Sequence, residues 1–328
     1  MFKALGVIQK NLIWAILLAV VSGVVCGYFI DTKALKILIV PLTFMMVYPM
    51  MVNLQIRQLF KKGNSKTQVM AQFINFAIIP FIGFGIAQLF FPDQKYLALG
   101  IILMSVMPTS GMTISWTAFA KGDIIVAIKM TVIGLILSAI VAPFYVKFLM
   151  GTAIEIPLLG IFKQIGIVVF LPMFFGQITQ KFIIKKYGEE KYKNEIKQKF
   201  PPISTLGVLG IIFVAMSLKA QVIVSKPEAL IMIIVPLLIF YAITYTLTTI
   251  IGKLFLERKE AIAMVYGTVM RNLSVALAIA MTVFGKEGAE IALIIALAYI
   301  IQVKSAALYI KLVDKLFGKK EIQNATKM

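Results

Sequence analysis

The sequence predicts an all-α membrane protein of about ten transmembrane helices, built as two five-helix repeats inserted in opposite orientations. Three observations lead there. Of 328 residues, 60% are hydrophobic and 14% charged, with a mean hydropathy of +0.95, whereas soluble domains carry about a quarter charged residues. Ten apolar stretches of spanning length follow one another with short polar links. Two of them, the fourth and the ninth, are interrupted at the same depth.

Stretches of roughly 20 residues cross a hydrocarbon core of about 30 Å. They run over 12–30, 35–53, 69–91, 97–119, 124–147, 158–182, 203–220, 227–252, 261–284 and 289–312. The first is too long for a signal-peptide core and lacks a small-residue cleavage pattern, so it reads as a retained helix. "FPDQKY" separates the third and fourth, and "AKGD" the fourth and fifth. The longest polar stretch, "KKYGEEKYKNEIKQK" at 185–199, is too short for a soluble domain. The chain therefore reads as one transmembrane domain over 1–328, with repeats at about 12–150 and 158–312.

Charge sets the orientation. The amino terminus, the links after even-numbered stretches and the carboxyl tail carry 22 of the 33 lysines and arginines, against 8 in the other links. That bias places both termini in the cytoplasm. Because the formal net charge of +19 falls in short runs between apolar blocks, it marks membrane loops and excludes nucleic acid as a partner. The single cysteine, Cys26, lies in the first stretch, and histidine is absent. The commonest metal ligand and the usual near-neutral acid–base group are therefore missing; no cofactor or metal is expected.

The halves align weakly. "VMPTSGMTISWTAFAKGDIIVAI" (106–128) lies beside "VMRNLSVALAIAMTVFGKEGAEIALI" (269–294), both opening with Val-Met at mid-span. Five helices per repeat is odd, so the repeats are inverted, a plan that places a transport site between paired broken helices at the bilayer midplane. Pro108 removes a backbone donor and Gly111 lets the chain open, which predicts a break lined by Thr109, Ser110 and Thr113. Such a break is tolerated only inside protein or beside a wet cavity. In the ninth stretch Arg271 stands about eleven residues from either end, beyond easy reach of an interface. All 14 acidic residues are expected in links or termini, so the partners of Arg271 must be carbonyls, side chains such as Asn272 or Ser274, or a bound anion. Lys129 and Lys304 are the other cations within apolar stretches, each able to snorkel toward an interface.

"PLTFMMVYPMMVNL", "PTSGMTISWTAFAKGD" and "RNLSVALAIAM" resemble the bile acid:sodium symporter superfamily, particularly its arsenite-permease branch. The resemblance covers about 12–312 and implies a core domain in which helices four and nine cross, moving against a panel domain. The arsenite permeases' cysteine after the crossover proline matches Thr109, and their acidic residue in helix nine matches Ser274. The sodium-site positions match Asn75, Thr113, Ile114, Ala127, Thr131, Gly267 and Arg271; the family's glutamate is Gly267 and its glutamine is Arg271. Most of the expected oxygens are gone, while the cations Lys129 and Arg271 stand close by. The reading is therefore a secondary transporter for a small anionic solute, working without sodium in a bacterial inner membrane, with lipid as its other partner. Pro108, Thr109, Ser110, Gly111, Thr113, Arg271, Asn272 and Ser274 form the expected substrate site, and Asn75, Lys129, Thr131 and Gly267 stand where a coupling ion would. The alternatives are an arsenite efflux permease with altered ligands, an intramembrane enzyme, or a sensor that has kept the carrier fold.

Overall fold

The computed structural model describes residues 8, 11–56, 65–151, 153–154, 157–225, 228–285 and 287–318. The described residues form helices and turns without strands. In chain order the helices are α1 (Leu12–Phe29), α2 (Ile39–Val52), α3 (Ser65–Phe90), α4a (Lys95–Val106), α4b (Gly111–Phe119), α5 (Ile124–Met150) and α6 (Leu158–Tyr187). There follow α7 (Phe200–Leu218), α8 (Glu228–Phe255), α9a (Arg258–Val269), α9b (Leu273–Val283) and α10 (Gly288–Phe317). Nine of these spans are long and apolar enough to cross a membrane, ten when the bent pair α4a–α4b is one span. The expected stretches agree to within a few residues at most ends.

The helices sort into two groups. α1, α2, α6 and α7 pack on one another, and α3, α4, α5, α8, α9 and α10 make the second group. Small residues let the first group close up. An ideal Cβ on Gly207 of α7 would stand 2.5 Å from the Met46 amide nitrogen, and one on Gly27 of α1 would stand 2.0 Å from the Ser217 carbonyl oxygen. Large apolar side chains such as Trp14, Leu159 and Phe174 point outward, 72%, 82% and 63% exposed, as lipid-facing residues do when the solvent is hydrocarbon. α9 is the hub, with 94% of its apolar window buried. It touches α3, α4b, α5, α8 and α10.

Both interruptions expected from the sequence are present, but they differ. α4 bends by 62° between its halves. α9 is non-helical at 270–272, yet its halves still form one span. The reason lies in the breaking residues. α4 has Pro108 followed by Thr109 at φ +54°, which turns the chain; α9 has neither a proline nor a positive φ there.

The acidic residues need one correction. Glu260, Glu290 and Asp314 lie within the terminal turns of α9a and α10, not in links. Each has a partner there: Glu260 accepts from Thr67 Oγ1 at 2.9 Å, Glu290 pairs with Lys219 at 3.1 Å, and Asp314 pairs with Arg258 at 2.5 Å. None of them is a partner of Arg271. Glu155 and Glu321 lie outside the described residues.

Candidate functional site where two broken helices meet

A helix end leaves its last carbonyls and first amides without partners inside the helix, so two mid-membrane breaks must find partners for both sets. The amides are met by caps. Ser110 Oγ accepts from the Met112 amide at 3.2 Å, and Thr113 Oγ1 accepts from the Ser110 amide at 3.2 Å, a reciprocal box that starts α4b. Asn272 Oδ1 accepts from the Val275 amide at 3.2 Å and starts α9b. The breaks also touch directly, as the Asn272 amide donates to the Met107 carbonyl at 2.8 Å.

Thr109 explains the sharpness of the bend. A β-branched residue at positive φ is strained, and its surroundings hold it there. Its side chain is fully buried and its hydroxyl donates to the Thr131 carbonyl at 3.4 Å. Gly134 makes the room, since a Cβ there would stand 2.6 Å from Thr109 Oγ1.

The orphaned carbonyls are met by Arg271, whose side chain has no exposed surface. Its Nε donates to the Met104 carbonyl at 3.2 Å, and its Nη2 donates to the Ser105 carbonyl. Its Nη1 donates both to the Thr268 carbonyl at 2.9 Å and to Asn75 Oδ1 at 2.7 Å. Met104 and Ser105 end α4a and Thr268 ends α9a, so the guanidinium sits at the negative poles of both first half-helices. Asn75, in a π-helical turn of α3 at Ile74–Ile78, completes the set by donating its Nδ2 to the Gly267 carbonyl at 3.1 Å. Charge-assisted hydrogen bonds are about twice as strong as neutral ones, and here they offset the desolvation of the charge. Of the partners expected from the sequence, backbone carbonyls are the ones used; the one side-chain oxygen is that of Asn75 and not of Asn272 or Ser274.

Gln302 of α10 holds the backbone of the same break. Its Oε1 accepts from the Arg271 amide at 2.9 Å and from Tyr241 Oη at 2.9 Å, and its Nε2 donates to the Arg271 carbonyl at 3.3 Å. Tyr299, one turn earlier, shares a 2.5 Å hydrogen bond with Ser274.

Between the two helix groups lies a cavity of about 260 Å³. Of the residues expected from the sequence, Ser110, Gly111, Thr131, Arg271 and Ser274 belong to its wall. Pro108, Thr109, Thr113 and Asn272 shape the breaks and are not among the lining residues, and Asn75 and Gly267 are likewise buried outside the wall. Gly267 packs on Met130, whose Sδ would be 2.5 Å from an added Cβ. Lys129 is 5% exposed and outside the wall. Asn53, Lys197, Tyr299 and Gln302 also line the cavity and were not expected. A lone amide in the tenth stretch was a usable signal for Gln302; Asn53 and Lys197 sit at segment ends and carry none. No aspartate or glutamate is among the lining residues, and no cluster of metal-ligating side chains occurs among the described residues.

A polytopic helical protein with two broken helices meeting beside a cavity is the layout of a carrier. Residues 40–226 match the Sodium Bile acid symporter family. The chain belongs to that family. It is 24% identical over 260 residues to the arsenical-resistance protein Acr3 of Alkaliphilus metalliredigens, covering 72% of each chain. It is 24% identical to Acr3 of Corynebacterium glutamicum, over 66% of this chain and 62% of that one. An uncharacterized transporter of Synechocystis is similar at 24% identity over 89% of this chain and 85% of the relative. As a Sodium Bile acid symporter family member, the chain is a multi-pass membrane transporter of a small molecule, not an enzyme. The matched residues include the α4 break and stop before α9, so Arg271 lies outside them.

Proposed function

We propose that this protein is a secondary carrier for a small organic anion that needs no sodium, because Arg271 supplies a fixed charge where a coupling cation would bind. One observation carries the reading. The guanidinium lies on the Met104, Ser105 and Thr268 carbonyls at the crossing, and no carboxylate among the described residues lines the neighbouring cavity. Helix C-terminal carbonyls and an amide oxygen suit a monovalent cation; a tethered cation there leaves no room for a mobile one. Ser110, Gly111, Thr131 and Ser274 form the wall that meets the solute, with Pro108, Thr109, Thr113 and Asn272 shaping it. Asn75 and Gly267 steady the fixed charge, and Lys129 adds positive potential behind it. With repeats at about 12–150 and 158–312 each contributing helices to both groups, the group α1, α2, α6 and α7 rocks against the other helices about a fixed site, with both termini cytoplasmic.

Two relatives are named for arsenical resistance, which makes arsenite the second reading. Soft thiolates are the natural ligands for a soft metalloid. Cys26, the single cysteine, is on α1 and outside the cavity wall, so the organic anion is preferred.

Thermal unfolding of the purified protein tests both readings, using a panel of carboxylates, sulfonates and arsenite in sodium or potassium buffer. A ligand that binds the native state raises the melting temperature by mass action. A carboxylate or sulfonate is expected to raise it equally in both buffers, and arsenite to leave it unchanged. A shift seen only in sodium would refute the fixed-charge mechanism, and a shift with arsenite alone would favour the second reading.

A further inference from the structure

Among the described residues two cations belong to the cavity wall, Arg271 and Lys197, and their situations differ. Arg271 has no exposed surface, and four of its five N–H groups already end on protein oxygens. Lys197, in the connection between α6 and α7, is half-buried and makes no ion pair with a described residue. We propose that Lys197, and not Arg271, is the cation that engages the charged head of the anion in this cavity. The proposal rests on the anionic-solute reading above and names the residue that reads the charge.

The connection carrying Lys197 is held in place by many bonds. Its own carbonyl accepts from Asn53 Nδ2 at 2.9 Å. Tyr192, 3% exposed, donates toward Val52 O at 3.0 Å and Asn53 Oδ1 at 3.2 Å. From α6, Gln180 reaches Val52 O at 2.6 Å, and Gln177 reaches Met51 O at 3.1 Å and Leu54 O at 2.9 Å. These contacts satisfy the orphaned carbonyls that end α2. They also fix the backbone of Lys197 against the end of α2, where Asn53 and Leu54 line the same cavity.

Neighbouring polar groups are already committed. The Ser204 hydroxyl donates to the Met46 carbonyl at 2.5 Å and that of Thr205 to the Pro201 carbonyl at 3.0 Å. An ammonium offers three donors and a full charge, and a half-buried one is less screened than a surface one. Apolar Met50, Met112 and Val208 in the wall suit a solute with an apolar body, such as a monocarboxylate.

The probes are benzoate and benzamide, which match in shape and differ in charge, and binding is read by thermal shift on the purified full chain. Wild-type protein is expected to prefer benzoate. Lys197→Met is expected to weaken benzoate by about tenfold, to leave benzamide unchanged, and to keep the unliganded melting temperature; Lys197→Arg should retain the preference. If Lys197→Met still prefers benzoate as the wild type does, Lys197 is not the reader and this proposal falls alone. If the wild type shows no preference, the proposal falls together with the anionic-solute reading.

Discussion

Four of the five N–H groups of Arg271 end on oxygens from three different helices, α3, α4a and α9a. Removing the guanidinium therefore does more than delete a charge, because it strands buried carbonyls at the ends of two helices. Arg271→Gln is expected to cost about 3–5 kcal/mol, the scale for breaking a buried charged network by removing one partner. Thermal unfolding in detergent would show a large drop in melting temperature. Arg271→Lys should fall nearly as far, since an ammonium lacks the planar fork that reaches several carbonyls at once. An unfolding temperature equal to wild type in Arg271→Gln would mean that the clamp does not hold the crossing. The depth of Arg271 and its lack of a carboxylate partner were legible from spacing alone. The identity of its oxygens was not, because Asn75, Met104 and Ser105 lie more than 160 positions away.

At the scale of elements, the four helices α1, α2, α6 and α7 stay together through close backbone approach. Without a hydrophobic drive between helices in lipid, small residues at contacts supply the packing. Gly207 meets α2 where a Cβ would stand 2.5 Å from a backbone nitrogen and 2.7 Å from the Met46 Cα. Gly207→Val must push these backbones apart and is expected to cost about 1–3 kcal/mol, measured by thermal unfolding. Gly85 is the matching control, because nothing lies within 4 Å of its would-be Cβ; Gly85→Ala should unfold at the wild-type temperature or above it. The spans were readable from apolar length, and Pro108 announced the bend in α4. The lack of a proline or glycine at 270–272 agrees with a break in α9 that stays in line. The groups that hold its backbone, Gln302 of α10 and the Met107 carbonyl at the end of α4a, were not readable because they come from other elements.

At the scale of the molecule, the cavity reaches from the crossing to Asn53 and Lys197, which adjoin links on the lysine-rich side. At the far end of α7, Lys219 pairs with Glu290 of α10 at 3.1 Å, joining the two helix groups there. With the termini cytoplasmic as proposed above, the expected state is open to the cytoplasm and closed outside. With Cys26→Ser as background, Ser204→Cys should react with a membrane-impermeant maleimide from the cytoplasmic face and not from the outer face. Adding Glu290→Gln should introduce labelling from the outer face by loosening the far-end pair. Labelling from the outer face alone, without Glu290→Gln, would reverse the assigned state.

Composition and spacing by themselves determined the solvent, the number of spans, the position of both breaks along their spans and the presence of a buried cation without a carboxylate partner. These depend on local quantities: apolar length, a proline's missing donor, and the distance of a charge from the nearest interface. Tertiary structure alone decided which residues face the cavity. Thr109, Thr113 and Asn272 turned out to build the breaks, whereas Asn53, Lys197 and Tyr299 came into the wall. The physical reason is that a wall is made where separate helices approach, and each side chain's direction there depends on carbonyls and amides contributed by helices far away in the chain.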